Sequence, residues 1–113
     1  MTLGQTQRAF AQCTALLILQ AKEMGYEVTW GDAYRDPRVF GAVGTRKGYG
    51  ESRSNHKRRL AIDLNLFKDG RYLTSTAAHK PLGDWWEALG ERENLPLRWG
   101  GHFNDGNHYE CNR

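Results

Sequence analysis

The chain has 113 residues, a length that suits one folded domain, and carries 16 lysines and arginines against 13 aspartates and glutamates. The resulting charge of +3 fits contact with an anionic polymer. It is far below that of a strongly basic nucleic-acid binder, and no nucleic-acid motif accompanies it, so we expect no nucleic-acid partner.

Transmembrane and disulfide-rich classes are also disfavoured. The longest apolar run covers only residues 15–19, whereas a membrane helix needs about 20 apolar residues. The first twelve residues lack the apolar stretch of a secretory signal, so we expect no export signal in this chain. Cys13 and Cys111 are too few for a disulfide scaffold and form either one optional bridge or two free thiols.

The first half of the chain contains a predicted helix, a predicted strand and a long loop. Apolar residues at three- and four-residue steps predict an amphipathic helix over residues 5–24, ended by Gly25. Alternation over residues 26–30 predicts a short strand. Residues 31–50 contain five glycines, and we interpret them as a surface loop, which at this length is usually functional. The predicted apolar stripe of the helix consists of Phe10, Cys13, Leu17, Ala21 and Met24.

The clearest strand signal follows in the middle of the chain. Residues 60–67 alternate strictly, which places Asp63 on the face opposite the leucines. A carboxylate on such a strand needs a cation or hydrogen-bond donors. Asp69 and Gly70 predict a hairpin turn, and residues 72–73 would begin the return strand.

The last third of the chain completes an α+β pattern. We predict a helix over residues 76–93, interrupted near Pro81, and short strands at 98–99 and 109–111. The order of elements predicts a single α+β domain, residues 1–113, in which helices flank a central antiparallel sheet.

Two histidines and a carboxylate suggest a metal site. His56 precedes Asp63 by seven residues, and Asp105 precedes His108 by three. Two imidazoles and one carboxylate form a common catalytic zinc set, and a further carboxylate, Asp105 or Glu110, would supply a general base. The spacing alone equally allows a loop histidine, a solvated strand carboxylate and a half-buried histidine.

These residues resemble the two metal motifs of the M15 zinc peptidases. Ser54-x-His56-x6-Asp63 is similar to the first motif, and Asp105-x-x-His108-Tyr109-Glu110 is similar to the second. The family includes D-alanyl-D-alanine peptidases and small phage endolysins that cut L-alanyl-D-glutamate bonds. The resemblance runs from about residue 28 to residue 110 and is strongest to the small phage enzymes. It also includes the segments 33–35, 59–67, 82–90 and 99–101.

The resemblance implies a fold, a cofactor and a role for individual residues. The fold would be that of the Hedgehog and D-alanyl-D-alanine peptidases. One Zn²⁺ per chain would be bound by His56, Asp63 and His108. Asp105 would be the general base, and Arg35 would stabilise the developing oxyanion. Ser54 would bind substrate, and Glu110 would hold a ligand histidine in one tautomer.

Four of these assignments have simpler alternatives. Arg35 could form a loop ion pair with Asp32 or Asp36 instead. Ser54 could be a turn or cap serine. Glu110 could be an exposed strand residue, and Asp105 could form an Asx-turn with Gly106.

His79 is interpreted as structural, and Trp85 and Trp86 as core rather than a carbohydrate platform. His102 is interpreted as a solvated loop histidine, the alternative being contact with metal or substrate. Residues 57–59 are interpreted as a solvated basic run, the alternative being contact with an acidic wall peptide.

The resemblance implies a monomeric zinc peptidase whose partner is bacterial peptidoglycan. The expected activity is cleavage of the stem peptide at the L-alanyl-D-glutamate bond. Arg59 and Asp105, where many relatives have glycine and glutamate, favour this endopeptidase branch. Such an endolysin would be made in the host cytosol and reach the wall after the membrane is opened. The alternatives are a D-alanyl-D-alanine carboxypeptidase or dipeptidase, and a non-catalytic zinc-containing module that binds the wall.

Overall fold

The computed structural model describes residues 1–46 and 53–113, which contain three α-helices, five β-strands and three 3-10 helices. The α-helices are α1 (Leu3–Glu23), α2 (Pro37–Phe40) and α3 (Lys80–Glu93). The strands are β1 (Glu27–Trp30), β2 (Ala61–Lys68), β3 (Arg71–Tyr72), β4 (Leu97–Trp99) and β5 (His108–Cys111). The 3-10 helices are Asn55–Arg58, Ala77–His79 and Gly100–Phe103.

The strands form one antiparallel sheet in the order β1-β2-β5-β4, and β3 pairs with β2 as a hairpin. The longest strand, β2, therefore lies inside the sheet, and the C-terminal strand β5 lies beside it. Asp63 of β2 is paired directly with His108 of β5. The predicted α+β class with a central antiparallel sheet is confirmed.

Helix α1 carries the predicted apolar stripe but begins earlier than predicted. Its buried positions include the four apolar residues of the predicted stripe that lie within the helix, and Met24 packs against the same core. The helix starts at Leu3 because Thr2 and Gln5 form a reciprocal capping box, a signal that our start at residue 5 overlooked. Gly25 follows the helix with φ of 88°, as expected for a helix-ending glycine.

The core lies on one face of the sheet. Alternate residues of β2 and its flanks, Leu60, Ile62, Leu64 and Leu66, join buried side chains of α1 and α3 in one cluster. Strand β5 alternates in the same way, with Tyr109 and Cys111 in this cluster. Because neighbouring side chains of a strand point to opposite faces, Asp63, His108 and Glu110 lie on the face away from the core.

The hairpin turn is as predicted, but the second helix differs at its start. Asp69 and Gly70 have φ of 52° and 76°, the left-handed values that a tight Asp-Gly turn requires. Pro81 does not interrupt the helix. It lies in the first turn of α3, where its missing N–H removes no helical hydrogen bond. The helix ends at Asn94, which adopts the left-handed conformation with φ of 55°.

The predicted loop over residues 31–50 contains the short helix α2, which begins after the Asp36 cap. Residues 47–50 of that prediction lie outside the described residues. Trp86 is fully buried and Trp85 packs against the core, so both are core residues as interpreted. Within the described part of the chain, no helix combines the length and the apolar character that crossing a membrane requires.

Candidate metal centre

His56, Asp63 and His108 converge on one point beside the sheet. One ligand atom from each residue lies within 4.8 Å of the other two. Both histidines are buried, at 3% and 6% exposure, and Asp63 is partly buried. The two imidazole rings meet edge to face, with centroids 5.0 Å apart. The structure therefore brings together the three residues that the sequence suggested as ligands.

Two of the three side chains are placed by the sheet itself. Asp63 and His108 are opposite each other in the β2–β5 register, so their side chains project side by side. The 3-10 helix that follows β4 packs closely against His108. A Cβ added to Gly100 would lie only 2.7 Å from the Cβ of His108, so this position has room only for glycine.

His56 reaches the same point from a 3-10 helix that precedes β2. Ser54 caps this helix, because its Oγ accepts a hydrogen bond of 3.1 Å from the His56 N–H. Arg59 ends it in the left-handed conformation with φ of 56°. This turn directs His56 toward Asp63, whose Oδ1 lies 3.2 Å from His56 Nε2.

The position of the Asp63 carboxylate fits a metal ion. Its Oδ1 lies 3.2 Å from His56 Nε2 and 3.3 Å from His108 Nδ1. This oxygen is buried, yet it forms no hydrogen bond of good geometry with any residue in the described ranges. A buried oxygen left in this way is costly unless it has a partner. One carboxylate oxygen between two imidazole nitrogens is a donor set that zinc accepts.

His108 has a partner on its far side as well. Its Nε2 lies 2.6 Å from Glu110 Oε1, and both side chains are buried. Arg98 donates to the other oxygen, Glu110 Oε2, from Nε at 2.9 Å. In the neutral ring, a carboxylate at Nε2 favours a proton on that nitrogen and leaves the Nδ1 lone pair to bind a metal ion. Glu110 is therefore not the exposed strand residue of the simpler interpretation.

The pKa values of Asp63 and His108 reflect this mutual stabilisation in the metal-free state. Burial acts to raise the pKa of Asp63, but the two imidazoles outweigh it and lower the pKa to about 2. Burial acts to lower the pKa of His108, but Asp63 and Glu110 raise it to about 9. A metal ion that binds His108 must therefore displace a proton from the imidazole ring.

Asp105 lies beside the cluster and is half exposed. Its Oδ2 is 3.7 Å from His108 Nδ1. Partial burial raises the pKa of its carboxyl above the ordinary 3.8, although the His108 imidazole opposes this shift. A solvent-accessible carboxylate with a raised pKa, next to a metal site, is suited to accepting a proton.

Arg35 approaches the cluster from the loop after β1. It is 6% exposed, donates from Nη1 to Ser54 Oγ at 2.8 Å, and pairs with Asp32 at 3.3 Å. The loop ion pair with Asp32 that we considered as an alternative is therefore present. It does not remove Arg35 from the site, since Arg35 and Ser54 both line the cleft that contains His56.

The cleft around the cluster has a volume of about 630 Å³ and is rich in arginine. Sequence reasoning singled out Arg35 alone. For Arg98 a signal existed, because Leu97-Arg98-Trp99 alternates and places Arg98 on the face opposite the core. For Arg46, Arg53 and Arg58, the sequence contains no pattern that places them in the same cleft. The arginines in the lining are Arg35, Arg46, Arg53, Arg58 and Arg98.

The basic run at residues 57–59 is not a uniformly solvated surface, which corrects our interpretation. Lys57 is 5% exposed, and its ammonium group donates to the carbonyls of Phe40, Ala42 and Thr45. A buried ammonium needs such acceptors, and here they come from the loop that carries α2. Lys57 therefore attaches this loop to the turn that presents His56.

The other two histidines lie outside the cluster. His79 is buried, and its Nε2 lies 3.1 Å from the carbonyl oxygen of Leu73. His102 is exposed, and its Nε2 lies 2.7 Å from Glu87 Oε2. Neither contributes to the group of potential ligands found among the described residues.

Comparison with protein families gives a match over the segment that contains most of this site. The family model described as D-alanyl-D-alanine carboxypeptidase, of the M15 peptidases, matches residues 47–111. The match covers more than half of the chain and includes His56, Asp63, Asp105, His108 and Glu110. No curated protein matches the chain.

Proposed function

The chain therefore belongs to the M15 peptidase family, and from that premise we propose that it is a zinc-dependent peptidoglycan hydrolase. Its proposed reaction is cleavage of the stem peptide at the L-alanyl-D-glutamate bond. One observation carries the proposal. The potential ligands His56, Asp63 and His108 share a single cleft with Asp105 and Arg35, a carboxylate and a cation that the reaction needs.

In the proposed reaction, the metal and the protein side chains have separate functions. Zinc held by the two histidines and Asp63 would activate water and polarise the scissile carbonyl. Asp105 would accept the proton of the attacking water at its carboxylate and pass it to the leaving amine. Arg35, held in place by Ser54 and Asp32, would present a positive charge to the oxygen on which negative charge develops. Ser54 would position substrate beside Arg35.

The choice of bond rests on the resemblance and on the charge of the cleft. Arg59 and Asp105 occupy positions at which the small phage endopeptidases differ from many other relatives. Five arginines line the cleft against three carboxylates, Asp63, Asp105 and Glu110, which suits a peptide with acidic groups near the scissile bond. We therefore favour a monomeric phage-type endolysin that is made in a host cytosol and acts on the wall once the membrane is opened.

Product analysis on purified peptidoglycan tests the proposal. The zinc-loaded protein should release new amino groups and new N-terminal D-glutamate from isolated cell walls. Asp105→Asn should abolish this release while retaining fold and zinc content. If wild-type protein with bound zinc released no new amino groups, the hydrolase proposal would be wrong. The non-catalytic wall-binding module would then be the better explanation if the protein still bound to the walls.

The matching family, D-alanyl-D-alanine carboxypeptidase, favours a second activity. The same zinc ligands and base would serve that reaction, because both reactions hydrolyse an amide. The products separate the two: free D-alanine indicates the carboxypeptidase, and N-terminal D-glutamate indicates the endopeptidase. Both should be quantified in the same digest.

A further inference from the structure

Two of the five arginines in the cleft have no role in the chemistry described so far. Arg35 and Arg98 are paired with Asp32 and Glu110. Arg58 donates to the side chain of Asn55 and to the carbonyl oxygen of Arg113. Arg46 and Arg53 are the two arginines of the cleft to which no partner among the described residues and no role has been assigned.

Arg46 and Arg53 are both exposed in the cleft lining, and neither has a hydrogen bond or ion pair with any residue in 1–46 or 53–113. The Arg53 guanidinium lies against the loop at Gly44, where an added Cβ would be 3.6 Å from its Cζ. Arg46 follows on the same loop, two residues later. The loop and the segment before His56 thus present to the same concave surface two guanidinium groups that have no partner among the described residues.

The acidic groups of the cleft are already engaged. Asp63 lies between the two histidines, Glu110 contacts His108 and Arg98, and Asp105 lies beside His108. Positive charge is therefore in excess at the rim. A cleft with low-dielectric walls concentrates such a field, and a planar guanidinium binds a carboxylate through two parallel hydrogen bonds.

We propose that Arg46 and Arg53 form a subsite for a carboxylate of the substrate, and that this carboxylate is the one on the D-glutamate next to the scissile L-alanyl bond. This inference rests on the proposed function for the identity of the peptide. A peptide is favoured over a phosphate polymer because the arginines lie in the concave cleft of the metal cluster, not in a stripe along a convex surface.

Binding to two peptides tests the subsite without requiring turnover. One peptide contains the L-alanyl-D-glutamate bond with the adjacent carboxylate free, and in the other that carboxylate is a primary amide. Zinc-loaded Asp105→Asn protein should bind the free acid about tenfold more tightly than the amide. Adding Arg46→Gln and Arg53→Gln together should remove this difference by weakening only the binding of the acid. Affinities are measured by calorimetry.

A matched control separates the subsite from net charge. Arg8 and Arg71 are exposed and absent from the cleft lining, so Arg8→Gln with Arg71→Gln removes the same number of charges and should leave the preference for the acid unchanged. Equal affinities for acid and amide would overturn the subsite, as would an equal effect of the Arg8 and Arg71 double variant.

Cleavage of the same peptides by wild type distinguishes this failure from failure of the proposed function. Cleavage of both peptides without any preference in binding retains the hydrolase and rejects the subsite. A preference in binding that depends on Arg46 and Arg53, without cleavage, retains the subsite and rejects the hydrolase. Binding of neither peptide rejects the subsite.

Discussion

The two sides of the metal centre are built by different means. On the sheet side, Asp63 and His108 are opposite residues of adjacent strands, and Glu110 is two residues further along β5. Backbone hydrogen bonds and the core beneath the strands fix these positions. On the loop side, Arg35 and His56 lie on connecting segments, and the positions of these residues depend on a few polar contacts.

Those polar contacts link the loop segments to one another. The Arg35 N–H donates to the His56 carbonyl at 3.1 Å, and the Arg35 guanidinium donates to Ser54 at 2.8 Å. Lys57 joins the loop at Phe40 and Thr45 to the same turn. The histidines differ accordingly: His108 has Glu110 behind it, whereas His56 Nδ1 has no hydrogen-bond partner within the described ranges. The sheet side is therefore held by strand pairing and core packing, whereas the loop side is held by polar contacts between connecting segments.

The largest effect should come from removing the carboxylate on the sheet side. Asp63→Asn takes away the charged oxygen that both histidines face. Loss of a residue that only hydrogen-bonds a metal ligand typically lowers metal affinity by about 10- to 100-fold. Because Asp63 is itself a proposed ligand, zinc affinity should fall by more than this, and hydrolysis should be lost. Asn65→Ala, two residues along the same strand, is the matched control and should bind zinc normally. Unchanged zinc affinity in Asp63→Asn would contradict the assignment.

On the loop side, Arg35→Met should separate catalysis from metal binding. We expect kcat to fall by about 100- to 1000-fold, because a fixed charge that stabilises the oxyanion is lost. Zinc content should stay the same, since Arg35 contacts Ser54 and Asp32 and is not a member of the ligand set. Steady-state kinetics and elemental analysis give the two values. Loss of zinc in this variant would mean that the two sides do not act independently.

The outer partners of His108 should have a graded effect on zinc affinity. Glu110→Gln weakens the contact with His108 Nε2, and zinc affinity should fall by about 10- to 100-fold. Arg98→Gln, one contact further away, should change affinity in the same direction by less. Competition with a chelator measures both variants. Glu91→Gln, an exposed substitution on α3, serves as control, and a larger effect for Arg98→Gln than for Glu110→Gln would reverse the proposed order.

Zinc binding should depend on pH through His108. Its pKa of about 9 in the metal-free state means that the ring is protonated at pH 7, so binding must release that proton. Affinity should therefore fall about tenfold for each unit that the pH decreases below 9. The same raised pKa stabilises the metal-free fold fully below the ordinary value of 6.5, and this contribution is lost as the pH rises through 9. Chelator competition at pH 7 and pH 8 tests the first effect.

The smallest effect should come from the loop attachment. Lys57→Met removes the ammonium group that donates to the carbonyls of Phe40, Ala42 and Thr45, and should cost about 1–3 kcal/mol of unfolding free energy. KM should rise while zinc affinity stays constant. Urea denaturation and kinetics measure these changes. Arg59→Met replaces the exposed neighbouring cation and should be milder, and an equal loss of stability would argue against a specific role for Lys57.

The sheet side was also the more predictable half of the molecule. Strict alternation in β2 placed Asp63 opposite the leucines, and the two-residue spacing of His108 and Glu110 places them on one face of a strand. Residue type and periodicity are sufficient to predict on which face of a strand such a residue lies. The early start of α1 was missed although the Thr2 and Gln5 capping pair was visible in the sequence.

The loop side depends on contacts between distant segments, which residue type and period do not specify. A basic run is ordinarily solvated, and Lys57 is buried only because carbonyls 12 to 17 residues earlier fold over it. Arg46 and Arg53 likewise line one cleft, and neither residue type nor period predicts this. The metal ligands themselves are predictable from the motifs, because a family motif records such tertiary contacts indirectly.

The central claim is that His56, Asp63 and His108 hold a zinc ion, and the most direct test is elemental analysis of protein purified without added zinc. We predict about one zinc per chain in wild type, none in His56→Ala, and an unchanged content in His102→Ala, whose imidazole lies outside the cluster. A folded wild-type protein that contains no zinc and takes up none when it is supplied would contradict the account.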